Sequence, residues 1–231
     1  MTAYLNVARY HLVQRFNYWV LPWAILVFVF FVDVVILELT PAGGHSTHRW
    51  VGGLGSIFVV AFILGLQSVA RSLPFGLSLG ISRRTYYLGT ALLAVALGAV
   101  VGVVAAAGQA IERATDGWGI SMGFFRVPYI LNGQWYLTWL TVFVALTLLF
   151  VYGMWFGLVY RRWNLIGLAT FIATQVTVLL IGALVATWTH AWHDIGHFLT
   201  NLSAAGLTGL LAALTVMLLA AGFTTMRRLV V

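Results

Sequence analysis

The chain contains no cysteine, which excludes a disulfide framework, a thiolate metal site and a cysteine nucleophile. Lysine is missing too: all 12 basic residues are arginine. A phosphate-cradling P-loop needs lysine ahead of serine or threonine. The chain therefore cannot build the usual nucleotide site, and if ATP is the fuel, another polypeptide binds it. Charge is also scarce, at 7% of 231 residues, with only five acids. Soluble domains carry about 25%, so no separate water-facing enzyme domain is expected.

What is present instead is apolar. Hydrophobic residues make up 62% of the chain, and the mean hydropathy is +1.00. A membrane-crossing helix needs about 20 such residues, and the pattern predicts six of them in an all-α integral membrane fold. The expected spans are Tyr18 to Leu39, Val51 to Ser72, Tyr87 to Ile111, Tyr136 to Tyr160, Leu165 to Trp188 and Ala204 to Met226. They form one transmembrane domain, residues 18–231. Residues 1–17 read as an amphipathic helix in the interface, with Leu5, Ala8, Leu12 and Phe16 on one stripe and Arg9 and Arg15 flanking it. His11, Gln14 and Arg15 interrupt any apolar core there, so no cleavable signal is expected.

A net charge of +7 is compatible with nucleic acid, but its placement points to lipid. Arg9, Arg15, Arg71, Arg83, Arg84, Arg161, Arg162, Arg227 and Arg228 fall near alternate ends of the apolar segments. The acids Asp33, Glu38, Glu112, Asp116 and Asp194 fall near the other ends. Under the positive-inside rule this puts both termini in the cytoplasm. Residues 112–134, the longest outer piece, carry Trp118, Phe124, Phe125 and Tyr129, with Trp135 directly after them, and are expected to rest on the outer interface. A tight cytoplasmic turn is expected over Arg161 to Asn164.

Between the second and third spans, Leu73 to Thr90 reads as a membrane-surface turn. Pro74 and the glycines interrupt helix, and Tyr86 and Tyr87 are expected to mark the interface. Pro74, Phe75, Gly80, Ser82, Arg83 and Arg84 follow the order Pro-Phe-x-x-x-x-Gly-x-Ser-Arg-Arg. This stretch resembles the first cytoplasmic loop of permease subunits of type 2 ABC exporters, especially actinobacterial ones. The resemblance implies a transport subunit in the cytoplasmic membrane and not an enzyme, with no cofactor in this chain. ATP and magnesium would sit in a separate cytoplasmic ABC ATPase, and a second identical or related permease would face this one. It further implies that the loop couples to the ATPase. Phe75 would be an apolar anchor and Gly76 would allow close approach. Ser82 belongs to the same set, and Arg83 and Arg84 would make charge-assisted bonds. Residues 1–17 would be the elbow helix, and the link at 189–203 would hold re-entrant half-helices.

Pathway candidates are few. Asp33 is an acid near membrane depth; Gln67 closes the second span; Thr170, Thr174 and Thr177 repeat at helical spacing. Gly98, Gly102 and Ala106, and separately Gly153 and Gly157, have the small-xxx-small spacing of close helix contacts. An apolar, aromatic interior suits a hydrophobic cargo. The alternative reading, a small membrane metalloprotein or enzyme, rests on His190, His193 and His197. Imidazoles one turn apart can share zinc or copper, and His193-Asp194-Ile195-Gly196-His197 imitates the zincin H-E-x-x-H. Asp194 is a methylene shorter than the glutamate of that motif, and Gly196 weakens the helix. His45 and His48 would complete such a site.

Overall fold

The computed structural model describes Val7 and residues 16–39, 49–128, 130–131 and 133–227. A π turn over Phe16–Val20 leads into α1 (Leu21–Leu39). Pro22 sits in the first turn, where its missing N–H costs nothing. There follow α2 (Gly55–Ala70), α3 (Ser72–Ser78), α4 (Arg83–Ala114), α5 (Trp135–Trp188), α6 (Trp192–Asn201) and α7 (Ala204–Arg227). Two short strands, β1 (Arg49–Trp50) and β2 (Met122–Gly123), pair in parallel and tie two loops together. Five helices are long and apolar enough to cross a membrane. The protein is thus all-α and membrane-embedded, with several passes. The expected amphipathic segment 1–17 lies outside the described residues except Val7 and its last two positions. Val7 is buried against Tyr18 and Leu73 in one of two apolar clusters.

At 54 residues, α5 would run about 80 Å if straight, against an apolar layer of roughly 30 Å. It is not straight. Asn164 leaves helical geometry with φ 55 and ψ −150, a positive φ that asparagine tolerates better than most residues. Phe156 then meets Phe171 edge-on at 5.2 Å, and Tyr152 donates its hydroxyl to Gln175. Both pairs are centred on the Trp163–Asn164 bond, so the arms 135–163 and 165–188 are antiparallel. The turn expected over four residues narrows to one.

The first arm of α5 is the centre of the molecule. A Cβ on Gly65 would strike the Phe150 carbonyl, and one on Gly153 the Phe62 carbonyl, so α2 and α5 touch backbone to backbone. On the other side, Gly98 faces the Phe143 carbonyl and Gly102 the Trp139 carbonyl, each 2.9 Å from an added Cβ. The two small-residue stripes are the seams on which α4 and α2 pack against α5. α7 docks through a 2.8 Å hydroxyl pair between Thr141 and Thr208, and through the Trp155 indole N–H donating to the Leu218 carbonyl at 3.0 Å.

Three sequence expectations need correction. Pro74 and Gly76 do not interrupt helix but lie within α3, Pro74 in its first turn, where its missing N–H costs little. Residues 112–134 do not simply rest on the interface: Met122, Phe124, Phe125 and Leu131 are buried, and Phe30 packs edge-on against Trp118 and Phe124 at 5.1 and 5.2 Å. Trp135 alone of that aromatic set remains largely exposed among the described residues. Tyr129 lies outside them. Tyr86 and Tyr87 are not interfacial markers either, since both are buried. Their rings fill the bundle while each hydroxyl reaches a backbone carbonyl, Ser68 for Tyr86 and Leu219 for Tyr87.

Candidate functional site

The corner between α3 and α4 is built residue by residue from the motif. Gly80, with φ 78, ends α3 in a paired closure: its N–H bonds the Leu77 carbonyl at 3.0 Å and the Ile81 N–H bonds the Gly76 carbonyl at 3.2 Å. This is the Schellman arrangement, which favours glycine at that position. Two residues on, Ser82 caps α4, its Oγ accepting from the Thr85 N–H at 3.2 Å. The Gly-x-Ser spacing therefore stops one helix and starts the next. Arg83 and Arg84 become the first two residues of α4. Cations there oppose the helix dipole, at roughly 0.3–1 kcal/mol each, so α4 itself gains nothing from them. Arg84 lies 5.9 Å from the Phe223 ring centroid.

Phe75 is 56% exposed on the outside of α3, whereas Leu73 and Gly76 face inward. A Cβ on Gly76 would come within 2.8 Å of the Tyr86 ring. The close approach that Gly76 permits within this chain is therefore to Tyr86. That tyrosine bonds α2 through Ser68, supports α3 through Gly76 and belongs to α4. One buried ring thus touches all three helices of the corner. Sequence reading singled out Phe75, Ser82 and the arginines but missed this fulcrum. Only its burial marks it, and a lone tyrosine near a span end reads as an interfacial residue.

The pathway candidates are scattered. Asp33 lies against the Gly53 backbone near the β1–β2 end, and half-buried Gln67 lies near α3. Thr170, Thr174 and Thr177 are on the exposed face of the second α5 arm. Each of the three donates its hydroxyl to the carbonyl one turn back, at 2.8–2.9 Å. A different feature lies at the end remote from α3: a cavity of about 370 Å³ lined by Trp50, Gly55, Phe58, Val142, Ala145 and Leu211, among others. Its size is that of a small-molecule site, and its walls are almost wholly apolar.

Glu112 was legible only as an acid near a span end. It is fully buried, and its Oε2 accepts from the Phe124 N–H at 3.0 Å, the Phe125 N–H at 2.7 Å and the Trp118 indole N–H at 3.4 Å. One turn earlier, buried Gln109 donates to the Leu131 carbonyl and accepts from Thr138 at 3.0 Å. These two side chains draw the 115–134 loop into the bundle. Arginine takes part as well. Arg113 donates to the Gly133 carbonyl in the loop and Arg49 to the Leu37 carbonyl in the last turn of α1, so these arginines at the acid-bearing end serve backbone carbonyls.

His193 and His197 meet on α6, with Nε2 atoms 3.2 Å apart. His190 sits in the preceding turn at φ 56, and among the described residues no cluster of three or more potential ligands forms. His45 and His48 lie outside the described residues. The fold so far defines a class, a multi-pass helical membrane protein. In comparisons with known proteins the chain matches no family model, no curated protein and no solved structure.

Proposed function

We propose that the chain is the permease subunit of a type 2 ABC exporter in the cytoplasmic membrane. It crosses six times, the two arms of α5 counting separately, with both termini inside. A second copy or related permease faces it, and a separate ATPase binds ATP and magnesium. The observation that carries the reading is the α3–α4 corner. A seven-residue helix presents an exposed phenylalanine beside two arginines that weaken the helix they begin. Such residues are explained by a partner: an apolar slot for Phe75 and acidic groups for Arg83 and Arg84.

The mechanism follows from the contacts. Closure of the ATPase pair pushes α3 toward the membrane. Tyr86, wedged against Gly76 and bonded to Ser68, passes the push to α2 and α4 together. Because the glycine seams lock both to α5, the bundle moves as a largely rigid body and access to the cargo path changes. The apolar cavity at the far end supports a hydrophobic cargo.

Replacing Phe75 and Arg83 together with alanine tests this. Stimulation of the ATPase is expected to fall at least tenfold, about 1.4 kcal/mol of coupling, while membrane insertion and the thermal midpoint stay unchanged. Normal co-purification and stimulation by the double variant would mean that α3 is no coupling element.

A further inference from the structure

We propose that His193 and His197 form a clip for a divalent transition ion, zinc or copper(II), on the water-facing side of α6. Imidazole nitrogens bind such ions at about 2.0–2.1 Å, so two nitrogens 3.2 Å apart subtend roughly 100° at the metal, close to the tetrahedral value. The ring centroids are 4.4 Å apart and the planes are inclined at 69°. Without metal, the same separation is an N–H···N bond between the two rings, which holds the pair in place.

The surroundings fit a ligand pair. Asp194 Oδ1 lies 3.9 Å from His193 Nδ1. His193 and Asp194 are 81% and 90% exposed, so waters can complete the coordination shell. The opposite face of α6 carries Trp192, Ile195 and Phe198, all exposed in the isolated chain. A helix with that distribution lies in the membrane surface with its apolar side down, which turns the histidines toward water. The ion would bridge the turn that contains Gly196, the weakest helix former in α6. It would thereby order the link between the second α5 arm and α7. The clip concerns neither Phe75 nor the ATPase, so its failure and that of the coupling reading are separate results.

Tag-free, metal-free full-length protein in nanodiscs is titrated with Zn²⁺ and with Cu²⁺ by calorimetry, and the copper form is examined by electron paramagnetic resonance. One ion per chain is expected, with two nitrogen couplings in the copper spectrum. His197→Ala should weaken binding tenfold or more and remove one coupling, and His190→Ala should change neither. An unchanged size-exclusion profile shows that the variants fold. The proposal is overturned if no stoichiometric binding occurs, or if His197→Ala binds and couples like the wild type.

Discussion

Glu112→Ala is expected to lower the thermal midpoint of the purified protein by roughly 6–12 °C. The carboxylate accepts from two backbone N–H groups and one indole N–H of the loop it holds. Removing it leaves two buried backbone donors and one part-buried indole donor unsatisfied, at about 1–3 kcal/mol each. Even the low end, about 3 kcal/mol, is a large share of the total for a protein of this size and converts to that shift in midpoint. Glu112→Gln keeps an acceptor oxygen in place and should lose less than half as much. The loop is also expected to become cleavable by protease in Glu112→Ala while α2 and α5 stay protected. A wild-type melting curve for Glu112→Ala would show that the loop is held by apolar packing alone.

The second large effect is predicted at the α2–α5 seam. Gly153→Leu forces a side chain into the Phe62 carbonyl and the Leu66 amide. Neither neighbour is a side chain that can swing away, so the helices themselves must separate. Overpacking of this kind costs about 1–3 kcal/mol when side chains can yield and more when they cannot. The expected outcome is loss of monodisperse protein on solubilisation. Gly182→Leu is the control, since a Cβ there meets nothing within 4 Å, and it should behave like the wild type. If both variants solubilise equally well, the close helix contact is not what holds the bundle.

How much of this was legible varies with the kind of signal. The apolar runs, the small-residue stripes and the helix-ending Gly80 are local properties of the chain, and each appears in the structure where the sequence places it. Span ends moved by a few residues. α4 starts at Arg83, four residues before the expected Tyr87, and continues to Ala114 because its last turn carries Glu112 inward. The tyrosines and the 115–134 loop were misread for a common reason. An aromatic residue near a span end suits both the interface and the core, and periodicity does not distinguish them. Which one applies depends on a distant partner: Ser68 and Leu219 for the tyrosines, Glu112 for the loop.

The sequence by itself determined that this is a helical membrane protein without a lysine-bearing P-loop, since hydropathy and the absence of lysine need no fold to be read. It also placed a helix interruption at Gly80, a local glycine signal, but expected the next helix to start at Tyr87 and not directly after Ser82. Only the tertiary structure decided that Tyr86 joins three helices, that Glu112 gathers a loop, and that His193 pairs with His197 but not with His190. These outcomes depend on side-chain direction and on contacts between residues remote in sequence, and neither is encoded in any local pattern.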